Sequence, residues 1–229
     1  MTATPVSDVV LSLADCKQLL GLRYAEWCSA TPTLEADIAA AAMGLDDLGH
    51  SRVLAGCLTE LGPDPRGPER ETDPGAYRNV AFLDETWTDW SQFVAANAIL
   101  DTAFTVMIES LVEGKVEVLR TRLRKMLGEE RYHFLHGRSW LQELGPTPAV
   151  NRAWQEAAEW FGPDGAELRR RLAERLEQPE PNLEVDWTAW DPVRRRTRPG
   201  AIDRRTFDML RGLEEKRYGI VKEQTPARG

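Results

Sequence analysis

An all-α fold, built around a four-helix bundle, is what this sequence predicts. Apolar residues recur at three- and four-residue spacing over long stretches. No run alternates with the period of two that a half-buried strand requires. Gly and Pro pairs cut the first two-thirds of the chain into four stretches of roughly 22–28 residues, a common bundle length.

The first stretch runs from Ser7 to Cys28, with Val10, Leu13, Lys17, Leu20, Tyr24 and Trp27 on one stripe. Thr31-Pro32 supplies a cap and a proline at a first helical position. A second helix then runs through the alanine-rich Ala36–Gly44 segment to Leu61 and stops at Gly62-Pro63. Pro63, Pro65, Pro68 and Pro74, scattered among charges, mark residues 62–80 as a loop or crossover. A third helix begins near Ser91 and carries Phe93–Val112, where Asp101 and Glu109 are the only charges. A fourth runs from about Glu117 to Leu144 and ends at Gly145-Pro146. The expected division is a bundle over residues 1–165 and a helical and irregular tail over 166–229. Short helices are expected at Glu167–Glu177 and Arg204–Lys216. Trp187 and Trp190 in the tail need a surface to cover them, either the bundle or a partner.

Composition narrows the function classes. The chain has 229 residues, 42% hydrophobic and 29% charged, as in ordinary globular domains. A net charge of −8 disfavours nucleic acid, whose phosphates need a basic surface. No uncharged apolar run reaches the ~20 residues of a membrane helix, and the N-terminus lacks a signal-peptide layout. Cys16, Cys28 and Cys57 are odd in number and fall in helical apolar patterns. They read as reduced core residues of a cytoplasmic protein. Gly-x-Ser-x-Gly, Gly-x-Gly-x-x-Gly and P-loop signatures are all missing, which argues against a hydrolase or nucleotide-binding enzyme. The basic run Arg194–Arg198 reads as a solvated tail or a contact between subunits in preference to a site for phosphates.

Two pairs, Asp47-x-x-His50 and Glu130-x-x-His133, carry the chemistry. At i and i+3 a carboxylate and an imidazole share one helix face and can reach one metal ion. Doubling such a pair on facing helices, with acids from two further helices, is how ferritin-like bundles hold two metals. Asp47 and His50 interrupt the apolar stripe of Met43, Leu54, Cys57 and Leu61. Glu130 and His133 interrupt that of Leu123, Met126, Gly137 and Leu141, and Asp101 lies in line with Val94, Ala98 and Ile108. Unpaired buried carboxylates cost several kcal/mol each, so these acids need partners. Spacing leaves two partners open: a divalent metal, or a structural ion network. Asp46 and Glu129 are rotated about 100° from the candidate ligands. Glu129 shares its face with Lys125, Tyr132 and His136 and reads as surface; His136 reads as an outer or surface residue, and Glu109 as an outer acid or an exposed one.

Several strings together resemble the large subunits of phenylacetyl-CoA epoxidase. They are Trp27-Cys28 with Thr31-Pro32-Thr33-Leu34, Met43-Gly44-Leu45-Asp46-Asp47-Leu48-Gly49-His50, Tyr77-Arg78-Asn79 and Glu130-Arg131-Tyr132-His133. The resemblance covers about residues 10–165 and implies a ferritin-like bundle. It also implies one of two roles: a catalytic subunit with an O2-activating di-iron site, or a related structural subunit that has lost the metal ligands. The catalytic type's ligands correspond to Asp47 and His50 (Asp for the usual Glu), Asp101, and Glu130 and His133. Asp47 and Glu130 would be the bridging acids and Asp101 terminal. The first-helix acid falls at Lys17, a residue that cannot ligate while protonated. The wording around Leu20-Gly21 and Arg23 is nearer the structural type.

The leading expectation is a protein of the di-metal oxygenase type, oxidising an aromatic or acyl-CoA substrate. It would hold iron, two ions or one, with manganese as the other option. Lys17 would serve as a hydrogen-bond donor at the site. The alternative is a non-catalytic subunit of a multicomponent monooxygenase in which Lys17 replaces the metal. Expected partners are a second copy or a related helical subunit, plus an external reductase if the chain is catalytic, since no ferredoxin cysteine spacing is present.

Overall fold

The computed structural model describes residues 5–223, and its regular elements are helical; one isolated antiparallel bridge joins Asp191 and Arg196. Four rods form the ferritin-like bundle. The first is α1 (Val6–Trp27) and the second α2 (Leu34–Leu61). The third is α3 (Trp90–Ala95), continued by a π segment (Ala96–Asp101) into α4 (Thr102–Glu113). The fourth comprises α5 (Glu117–Arg122) and α6 (Met126–Leu144). Short 3-10 turns carry the crossover from α2 to α3.

Local chemistry sets the boundaries. Thr33, two residues past the expected cap, accepts from the Ala36 amide and begins α2. Thr31 instead hydrogen-bonds the Asp37 carboxylate through its amide at 3.1 Å and its hydroxyl at 2.7 Å. Asp89 and Gln92 form a reciprocal capping box that starts α3. The expected continuous fourth helix is interrupted at residues 123–125. Arg120 and Arg124 there are like charges one turn apart, which disfavours helix, and Arg122 turns to pair with Glu60 of α2.

Trp90–Glu113 is long and apolar enough to cross a membrane, but 83% of its most apolar window is buried inside the protein. It is the central rod of the core. Cys16 and Cys57 are buried as expected, whereas Cys28 is exposed, because α1 ends one residue before it and the chain leaves the core there.

Two glycine contacts let the rods approach closely. A Cβ on Gly21 would stand 2.8 Å from the Gly44 carbonyl oxygen, so α1 and α2 touch backbone to backbone. A Cβ on Gly137 would stand 2.8 Å from Ala98 Cα, so α6 lies equally close to the π segment.

After α6 follow α7 (Pro148–Trp160), α8 (Ala166–Leu176) and α9 (Arg204–Glu223). The basic run is not a solvated tail. Arg195 is buried, donates to the carbonyl oxygens of Trp160 and Phe161 at 2.9 and 3.0 Å, and stacks near Trp160 and Trp190. Arg196 is buried against the Asp84 carboxylate at 2.8 Å. Glu109 pairs with Arg171 and Arg175 of α8, at 3.1 and 2.6 Å.

Gly137→Ala is expected to lower the unfolding free energy by about 1–3 kcal/mol through overpacking. Gly56→Ala, whose Cβ meets nothing within 4 Å, is expected to raise it by about 0.5–1 kcal/mol. Urea denaturation of both variants checks the opposite signs.

Candidate metal centre

Each rod contributes to one buried cluster: Lys17 from α1, Asp47 and His50 from α2, Asp101 from the end of the π segment, and Glu130 and His133 from α6. All six are at most 2% exposed. Asp47, Asp101, Glu130 and His133 offer ligand atoms that lie within 4.8 Å of one another, a set that could bind a metal ion. The cluster therefore gathers Lys17 and all five candidate ligands named from sequence.

The middle of that set holds an ammonium group. Lys17 Nζ donates to Asp47 Oδ1 at 2.8 Å and also to Asp101 Oδ1 and Glu130 Oε1. Its three protons thus meet three carboxylates from three different rods. The imidazoles sit outside this triad. His50 Nδ1 faces Glu130 Oε1 at 2.8 Å, and His133 Nδ1 faces Asp101 Oδ2 at 2.9 Å. Tyr24 donates its hydroxyl to Asp101 Oδ2 at 3.2 Å, and Thr105 Oγ1 lies 2.8 Å from Glu130 Oε2.

The outer nitrogens of the histidines meet the acids that precede the opposite pair. His50 Nε2 is 2.7 Å from Glu129 Oε2, and His133 Nε2 is 3.5 Å from Asp46 Oδ2. Glu129 is thus more than a surface residue. With Asp46, it links the buried cluster to solvent, their side chains being 36% and 41% exposed. The signal was in the sequence: each acid directly precedes a candidate ligand, and the two positions are equivalent on α2 and α6. His136 Nδ1 bonds Asn97 Oδ1 at 2.8 Å, while Asn97 Nδ2 donates to the His133 carbonyl oxygen at 3.2 Å. Asn97 belongs to the π segment, so the widened turn that carries Asp101 also fixes the backbone of α6. Nothing in the spacing announced that turn.

Proton affinities follow from these contacts. Burial opposes a charge on Lys17, but the Asp101, Asp47 and Glu130 carboxylates overcome it and hold the ammonium well above the usual lysine range. Burial likewise opposes protonation of His50, yet the Asp47 and Glu130 carboxylates beside its Nδ1 raise it to about 10. His133, against the same burial, is raised to about 9 by the Asp101 carboxylate. Burial and the Asp101 charge push Asp47 upward. Glu130 is held well below the usual range, the Lys17 charge and the His50 bond outweighing its burial.

Three carboxylates facing one ammonium and two imidazoles whose proton affinity the acids raise bring the cluster close to neutral. A two-metal centre does not fit it. Lys17 takes the place and charge of a cation, and the three carboxylates around it are one too few to balance two divalent ions. Two atoms point the other way: Asp47 Oδ2 and His50 Nδ1 are buried without a well-formed hydrogen bond.

The sequence matches the phenylacetic acid catabolic protein family over residues 1–190. The chain belongs to that family. Among curated relatives of this family member is the C subunit of 1,2-phenylacetyl-CoA epoxidase from Escherichia coli (strain K12). It is 28% identical over 171 residues, which is 69% of this chain and 68% of the relative.

Lys17→Met leaves two imidazoliums facing three buried acids. It is expected to cost about 3–5 kcal/mol of stability at neutral pH, measured by chemical denaturation. The histidines set a pH dependence. Their folded-state values lie above the ~6.5 of an unfolded chain, so their contribution is complete below that pH and is lost as pH rises through about 9–10. Unfolding free energy is expected to fall by on the order of 3–4 kcal/mol between pH 7 and 9. The double variant His50→Gln/His133→Gln should flatten that slope.

Proposed function

We propose that this chain is a non-catalytic, structural subunit of a multi-subunit enzyme that oxidises phenylacetyl-CoA in the cytoplasm. The observation that carries the reading is the Lys17 ammonium held by Asp47, Asp101 and Glu130. It supplies the positive charge that a metal supplies in an oxygen-activating bundle, but it has no redox chemistry and no open coordination position. Family membership supports a place in phenylacetate breakdown. The relative is named as one subunit of an epoxidase, which supports association with other chains. In this reading one of those chains is a related helical subunit that holds the catalytic metals. In this reading Lys17 and the acids are structural: they hold four rods in register so that the outer surface fits those partners.

A second reading rests on Asp47 Oδ2 and the four-residue ligand set. In it a single iron or manganese ion is held by Asp47, Asp101, Glu130 and His133 after Lys17 swings away. The charge count disfavours it. With Lys17 withdrawn, a divalent ion leaves the buried cluster one positive charge in excess, so it must expel a proton from an imidazole or bring an anion with it.

Plasma emission analysis of protein produced with iron and manganese in excess separates the readings. The expected result is no stoichiometric metal. Purified chain given iron, a chemical reductant, O2 and phenylacetyl-CoA is expected to form no oxidised thioester. Near two metals per chain, with product formed by the isolated chain, would overturn the structural assignment. Near one would favour the single-ion centre.

A further inference from the structure

A cavity of about 470 Å³ lies outside the bundle, between α7 and two stretches of the tail. Its floor is one face of α7, where Arg152, Gln155, Glu156 and Glu159 recur at three- and four-residue spacing. The tail is tied to that face at two points. Gln155 Nε2 donates to the Asn182 carbonyl oxygen at 3.2 Å, and the Thr197 amide donates to Glu159 Oε1. Glu184 and Val185 follow the first tie and Arg198 the second, and these side chains complete the wall. Thr197 and Arg198 fall beyond residues 1–190, which match the family. The volume is that of a small-molecule site.

Charge on this wall is unevenly compensated. Glu156 is 6% exposed and fully engaged, its oxygens accepting from the Phe82 amide and, at 2.8 Å, from Arg152 Nε. Glu159 is 8% exposed, and among the described residues no cation pairs with it. Its Oε2 accepts no hydrogen bond, yet it is not among the side-chain atoms sealed from solvent without a partner, so it opens on the cavity. Exposed Glu184 adds a further carboxylate. Arg198 is only loosely placed, with Nη1 3.9 Å from Glu156 Oε1 and its side chain 64% exposed. Three carboxylates against two guanidiniums leave the wall one negative charge in excess. Arg195, behind it, aims its guanidinium at the Trp160 and Phe161 carbonyl oxygens and not into the cavity.

A buried carboxylate with one oxygen open to a cavity favours a cationic occupant, because an unpaired buried charge is costly. A bare metal ion does not fit. Among the described residues, the acids here do not bring their ligand atoms within 4.8 Å of one another as the bundle's residues do. We propose that the cavity binds a small organic cation, a guanidinium or primary ammonium group on a short apolar stem. Glu159 Oε2 takes the head group, Glu184 adds its charge, and the stem lies along half-buried Val185. This site does not depend on the metal content of the bundle or on the enzyme the chain serves.

An NMR titration of the full chain at low salt tests the proposal, with butylguanidinium and butylammonium as cations and butylurea as the neutral isostere. At least one cation is expected to bind about tenfold tighter than butylurea and to shift the Val185 and Thr197 amide signals. Glu159→Gln keeps the volume and an acceptor for the Thr197 amide, and should weaken binding about tenfold. Glu184→Gln, on an exposed side chain, serves as the second probe should Glu159→Gln fail to fold, and should weaken binding about threefold. Arg198→Gln removes a competing cation and should tighten binding, an outcome that general disturbance of the tail does not give. No preference for either cation over butylurea, an affinity indifferent to Glu159→Gln and Glu184→Gln, or weaker binding in Arg198→Gln would each overturn it.

Discussion

The contact of one ammonium group with three buried carboxylates governs the rest of this structure. Lys17, Asp47, Asp101 and Glu130 come from four different rods and are removed from water. An isolated charge there would cost several kcal/mol, so no member is tolerable without the others. The cluster ties each rod to the remaining three, and a rod displaced by an ångström or two would leave an unpaired ion in a dry core. That condition explains the close glycine contacts. Gly21 against Gly44 and Gly137 against Ala98 bring the backbones near enough for short acidic side chains to reach a common point.

A second layer keeps the first from rearranging. Asp46 and Glu129 hold the outer nitrogens of His133 and His50, each acid reaching from the helix opposite its histidine. Tyr24 and Thr105 occupy further carboxylate oxygens, and Asn97 bonds both the backbone and the side chain of the α6 face. Networks of this kind favour one arrangement, because most alternatives strand further buried polar atoms beyond Asp47 Oδ2. A bundle held this way suits a rigid subunit more than a centre that must exchange ligands during turnover.

Much of this was legible in the chain itself. Helical periodicity and the Gly-Pro stops marked the rods, and two acid–histidine pairs interrupting apolar stripes located the buried cluster. Lys17, which the resemblance sets where an acid was expected, is the group found among the carboxylates. What spacing could not decide was the partner of the acids, since a metal and an ammonium impose the same pattern of buried carboxylates. The π segment was also hidden: one extra residue in a helical turn leaves an apolar stretch such as Ala96–Leu100 looking like any other. The roles of Asp46, Glu129 and the Arg195–Arg196 pair depend on contacts between elements far apart in sequence, which periodicity does not encode.

Family membership and geometry meet at one point. In this family member, carboxylates and an imidazole that could hold a metal ion surround an ammonium group. The most direct measurement is an anomalous-scattering map from crystals grown with iron(II) and manganese(II) present. Continuous density for Lys17 reaching Asp47, Asp101 and Glu130, with no anomalous peak between them, is the expected result. A metal peak among those carboxylates, with Lys17 turned aside, would contradict the account.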